Sequence, residues 1–118
     1  MKRDPRAFLS DVIEAGSAIL QAVHPISLES YSTNRLIRSS VEREFTIIGE
    51  ALSQLSQRDP ELFTQIREAP QIISFRNKLT HEYIKVNNLL VWGVIENDLP
   101  GLINECERLL RNLNDAQE

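Results

Sequence analysis

From Leu9 to Leu113 the apolar residues of this chain recur at intervals of three and four. That is the period of a helix with one apolar side; a half-buried strand would alternate every second residue. Four stripes follow from it. The first is Leu9, Ile13, Gly16, Leu20 and Val23, and the second is Ile37, Val41, Phe45, Ile48, Leu52 and Leu55. The third is Ile72, Phe75 and Leu79, and the fourth runs through Trp92, Ile95, Leu99, Leu102, Cys106, Leu109 and Leu113. An isolated helix cannot keep such a stripe from water, so the stripes must face one another.

Breakers set the boundaries. Asp4 and Pro5 suit the cap and first turn of a helix over 5–23, and His24-Pro25 stops it, because a residue before proline avoids helical geometry. A loop through Ser27 to Thr33 is expected, then a long helix over 33–57. Arg58-Asp59-Pro60 breaks it, with Asp59 capping a short helix from Pro60 to about Arg67. A third main helix starts near Pro70 and ends around Tyr83. Asn87 or Asn88 caps the last helical region, which kinks at Pro100, where Asp98 can cap a restart. The fold class expected is all-α: an up-down bundle of four main helices plus a short one, forming a single domain over 1–118 with a frayed polar tail at 114–118. The stripes could also pair two chains as a coiled coil, but each is short and flanked by breakers, which favours packing within the chain.

At 118 residues and 42% hydrophobic content the chain can bury a core without staples. Its one thiol, Cys106, forms no internal disulfide; on the fourth stripe it reads as an inert buried group. The low cysteine usage and a polar N-terminus without a leader-like apolar stretch read as cytoplasmic. No run reaches the roughly 18 apolar residues of a membrane span. Two His and one Cys supply no ligand set for structural zinc, and neither a P-loop nor a dinucleotide fingerprint is present, so no metal and no cofactor is expected. The net charge of −4 argues against a broad basic surface that neutralises many phosphates, though not against a small cleft.

Only Ser74 to Tyr83 crowds a cation, an imidazole and a phenol together. On a helix Arg76 and His81 lie about 140° apart, with Thr80 and Asn77 between them. One polar face therefore reads Arg76, Thr80, Asn77, His81, with Arg76 at its core-side border; it is either solvated or buried against another protomer. Metal-free phosphodiester cleavage needs a group that moves a proton near neutral pH and a fixed cation for charge growing on phosphorus, which histidine and arginine supply. One His is a base or an acid but not both at once, so a two-fold dimer would supply what a single chain lacks. Spacing alone favours an ordinary solvated helix face.

The segment Arg76-Asn77-Lys78-Leu79-Thr80-His81-Glu82-Tyr83 resembles the R-x-x-x-x-H-x-Y signature of HEPN domains, specifically the HepT-like toxin branch. Val41 to Leu52 and Val91 to Leu102 are similar to other parts of that branch, and the likeness covers most of the chain. It implies a homodimeric helical bundle acting as a metal-independent endoribonuclease toxin of a type VII-like toxin–antitoxin system. Arg76 and His81 of both subunits would meet as catalytic residues at the interface, with Asn77 and Thr80 supporting the site. It also implies an MntA-like nucleotidyltransferase antitoxin as partner, which transfers AMP onto Tyr83. An AMP there would add bulk and negative charge where an RNA phosphate must sit. The alternative for Tyr83 is an amphipathic ring packed at a helix end. For the whole chain, the alternative is a non-catalytic HEPN-like binding module that partners a nucleotidyltransferase or binds a nucleotide.

Other polar residues carry weaker expectations. Glu44, about 60° from the centre of the second stripe, could orient Arg76 as its ion-pair partner. Glu50 would be solvated on an isolated helix, although its place beside Gly49 allows a role at a dimer interface. Arg35, Arg38 and Arg43 fall on one length of the second helix, where they could hold RNA but read more simply as a solvated face. His24 is a loop residue and Trp92 a core anchor.

Overall fold

The computed structural model describes residues 3–81 and 87–116, and among these there is no strand. Within the described residues seven helices follow one another: α1 Pro5–Val23, α2 Leu28–Thr33, α3 Arg35–Arg58, α4 Pro60–Thr64, α5 Ala69–His81, α6 Asn88–Asn97 and α7 Leu99–Ala116. No helix among the described residues is long and apolar enough to cross a membrane.

Side-chain caps start most of the helices. The first amides of a helix have no carbonyl partner, and a short polar side chain can accept from them. Asp4 accepts from Arg6 N, Asn34 from Ile37 N and Asp59 from Leu62 N, while Asn87 accepts from both Leu89 N and Leu90 N. The caps expected at Asp4, Asp59 and Asn87 are therefore formed. At Asp98 the backbone does the joining: its amide bonds Val94 O and its carbonyl accepts from Leu102 N, so the hydrogen-bond ladder passes from α6 to α7. The Asp98 carboxylate instead accepts from Gln71 Nε2 of α5 at 3.2 Å.

Two boundaries differ from the sequence reading. The expected loop through Ser27 to Thr33 is a helix, capped by Ser27, whose side chain accepts from Ser30 N at 3.1 Å. Burial explains it: Tyr31 is fully enclosed, its ring 5.5 Å from that of Trp92. Its hydroxyl is buried and, among the described residues, has no hydrogen-bond partner, and burial, reinforced by the charge of Glu42, pushes the phenol up to about 12. Glu42 is itself raised above the usual carboxylate range by partial burial, against the opposing pull of Arg38. The short helix ends at Thr64 instead of near Arg67, because the chain turns there to drive Ile66 into the core.

α1 packs along α3 and α7, α5 lies on α3, α6 lies on α7, and the short α2 bridges α3 and α6. One continuous core joins the stripes, including Val41, Phe45, Ile48, Leu52 and Leu55 of α3 and Leu99, Leu102, Cys106 and Leu109 of α7. The stripe on α1 is rotated from the one read off the sequence. Phe8, Val12, Ala15 and Ile19 are buried with Leu9, Gly16 and Val23, while Ile13 and Leu20 sit at the edge. Gly16 faces Ile103 so closely that a β-carbon would lie 2.8 Å from its side chain. That approach turns α1 toward α7. Trp92 is half-buried against the core, and Cys106 is fully enclosed.

Candidate active site

The placement of α5 follows from its apolar residues. Ile72, Phe75 and Leu79 are buried, and Phe75 meets Phe45 of α3 edge to face with centroids 5.0 Å apart. With that side inward, Asn77, Thr80 and His81 are exposed on the opposite side. Arg76 falls on the border. Its side chain is 17% exposed, and it runs across α3.

Three residues within about one turn of α3 receive it. Gly49 clears the way for the aliphatic stem: a β-carbon there would lie 2.5 Å from Arg76 Cγ and 2.7 Å from its Cβ. Beyond it, Arg76 Nη2 donates to Ser53 Oγ at 3.1 Å. On the other edge Arg76 Nη1 lies 3.8 Å from Glu50 Oε2, an ion pair too long for a hydrogen bond. Glu50 Oε1 accepts from Gln54 Nε2 at 2.9 Å, which steadies the carboxylate. Arg76 Nε is buried and, among the described residues, has no partner. The guanidinium thus has a fixed stem, one neutral acceptor and one loosely held anion.

The other residues singled out from the sequence are placed as follows. Thr80 Oγ1 donates to the Arg76 carbonyl at 3.0 Å, so that hydroxyl is tied to its own helix. His81 and Asn77 share the exposed side of α5. Tyr83 lies outside the described residues. The expected pairing of Glu44 with Arg76 does not form. Glu44 sits about 120° around α3 from Glu50, and lines a groove toward α1 with Asp11, Glu14 and Ile47. Nor do the α3 arginines act as one. Arg38 Nη1 donates to the Ser32 carbonyl at 2.7 Å and ties α2 to α3, whereas Arg35 is exposed and Arg43 borders a groove of about 260 Å³ that also reaches Glu50. Gly49, Ser53 and Gln54 were not singled out as Arg76 partners. Their only sequence signal is the spacing of four between Gly49 and Ser53 and between Glu50 and Gln54, which gains meaning once α5 is known to cross there.

A largely buried guanidinium with one loosely paired edge can meet a phosphate oxygen, and an exposed imidazole on the same helix can move a proton. Among the described residues no group of three His, Cys, Asp or Glu side chains is placed to hold a metal ion. Comparison with known proteins identifies the family. The profile of the HepT-like ribonuclease family matches residues 12–109. A protein of Methanocaldococcus jannaschii that carries a provisional RNase name is 30% identical over 106 residues, 90% of this chain and 96% of the relative. A Thermococcus cleftensis protein named a probable ribonuclease HepT is 30% identical over 112 residues, 92% of this chain and 98% of its own. No solved structure matches the chain. With the family profile spanning nearly all of the helical core, this chain belongs to the HepT-like ribonuclease family.

Proposed function

We propose that this chain is a metal-independent endoribonuclease, working as a homodimer of single-domain up-down bundles in which Arg76 and His81 of the two copies form a composite site. The observation that carries the reading is the seating of Arg76. Its stem is fixed by Gly49 and one edge by Ser53, so the cation meets a phosphate without first being ordered. Exposed His81 takes the proton from the attacking oxygen, and His81 of the second copy returns one to the leaving oxygen. Arg76 stabilises charge as it grows on phosphorus, and Asn77, on the same exposed side, supports the RNA backbone. Thr80 holds the carbonyl of Arg76 and so stiffens the helix turn between the two catalytic residues.

The same proposal covers control. As the toxin of a type VII-like pair, the chain is silenced when an MntA-like nucleotidyltransferase places AMP on Tyr83, two residues beyond His81. The second reading, a non-catalytic module that docks on a nucleotidyltransferase or binds a nucleotide, is favoured by the net charge of −4, which repels RNA at long range. One experiment separates them. The chain is purified alone and after co-expression with an MntA-like nucleotidyltransferase, weighed intact by mass spectrometry, and incubated with single-stranded RNA in EDTA. The nuclease reading expects cutting by the unmodified form, abolished by Arg76→Ala, by His81→Ala and by an AMP-sized mass on Tyr83. Intact RNA with the unmodified protein, together with a stable complex that survives His81→Ala, gives the binding module instead.

A further inference from the structure

The guanidinium of Arg76 is held unevenly, and the unevenness separates two jobs. Ser53 offers a neutral acceptor at 3.1 Å, within hydrogen-bond reach, whereas Glu50 approaches only to 3.8 Å and its side chain is 59% exposed. A hydroxyl that accepts from Nη2 sets the rotation of the planar fork and leaves its own hydrogen free to point outward. A carboxylate out of hydrogen-bond range and facing water contributes little to binding and is easily screened. Gln54 nevertheless keeps that carboxylate in place at 2.9 Å. The position opposite Nη1 is thus occupied by an anion that costs little to move.

We propose that Ser53 is a positioning residue, which orients the Arg76 guanidinium, and that Glu50, steadied by Gln54, is a resident anion that an RNA phosphate displaces from Nη1. This rests on the ribonuclease reading above. Ser53 then acts in the transition state, because a misaligned fork stabilises the growing charge poorly, while Glu50 acts in the ground state by competing with substrate. The arrangement also suits an acidic protein: the site holds its own counter-ion, so unspecific anions gain little by binding.

The test uses the full chain, single-stranded RNA in EDTA, and a side-chain NMR signal that needs no activity. For Ser53→Ala the loss falls on kcat, about tenfold, as expected for one hydrogen bond to a charged group, and Ser53→Thr, which keeps the hydroxyl, restores it. For Glu50→Gln, which keeps an acceptor for Gln54, the change is a several-fold lower KM. In the ¹⁵N spectrum, the Arg76 Nε–H resonance, identified by its absence from Arg76→Lys, is sharp at neutral pH and broadens in Ser53→Ala as the fork gains freedom. The proposal is overturned if Ser53→Ala and Ser53→Thr are equally impaired, if Glu50→Gln leaves KM unchanged or raises it, or if the Nε–H signal is indifferent to Ser53→Ala. Should the wild-type chain cut no RNA, the ribonuclease reading fails, and the NMR arm alone decides whether Ser53 orients Arg76.

Discussion

Gly49 and Arg76 occupy one space. The glycine is buried in α3 with no side chain, and the stem of the arginine fills the place where one would be, its Cγ, Cβ and Nε all 2.8 Å or less from an imagined β-carbon. Real β-carbons do not approach other atoms so closely, and the two nearest atoms, Cγ and Cβ, lie at the root of the Arg76 side chain, where little can give. The contact fixes both the distance between α3 and α5 and the direction in which the guanidinium leaves.

Gly49→Ala is therefore expected to push α5 away from α3. Alanine gains about 1 kcal/mol of helix propensity over glycine, but overpacking costs about 1–3 kcal/mol. Urea denaturation should show a net loss of stability or none, while RNA cleavage falls far more than the stability change explains. A fully active Gly49→Ala protein would show that Arg76 reaches its working position by another route.

Glu42 makes stability depend on pH in an unusual direction for a carboxylate. Its folded pKa is raised above the ordinary 4.5, chiefly by burial. The folded state therefore binds more protons than the unfolded state in the window just above that value. Stability is highest below it and falls as pH rises through the raised folded value. Glu42→Gln should accordingly raise Tm at pH 7 and change it less at pH 4. A variant less stable than wild type at pH 7 would mean that Arg38 compensates the charge fully.

Tyr31 carries a hydroxyl that is enclosed and, among the described residues, unpaired. An unsatisfied buried polar group costs about 1–3 kcal/mol, so Tyr31→Phe should raise stability by about 1 kcal/mol, provided that the ring keeps its place against Trp92. Paired urea melts measure it, and a clear loss of stability would reveal an acceptor for that hydroxyl.

Cys106 is fully buried, and burial first, then the charges of Glu68, Glu105 and Glu107, push its thiol up to about 12. Reaction requires thiolate and access, and here both are withheld. Iodoacetamide at pH 8 should leave the folded protein unlabelled and label it once in urea. Fast labelling of the native protein would mean that α7 opens from the core.

The helices themselves are local events, and most were legible for that reason. A period of three and four, Asp4, Asp59 and Asn87 before helix starts, and proline within first turns act within one or two turns of chain. The face Asn77, Thr80, His81 with Arg76 at its border was legible in the same way, since angular position on a helix needs only counting. Three features were not. That residues 28–33 form α2 depends on Tyr31 being drawn under its neighbours, an α1 face turned by Gly16 depends on Ile103 in α7, and the partners of Arg76 depend on where α5 crosses α3. Glu44 and Glu50 are both carboxylates on one helix, but Glu44 lies near its apolar seam and Glu50 on the far side, so periodicity ranks Glu44 as the better partner for a residue at the core border. The crossing point ranks them the other way, because a side chain meets whatever lies within a few ångströms of it. Local spacing settles which residues share a face; only the packed helices settle which faces touch, through contacts between residues as far apart in sequence as Ser53 and Arg76.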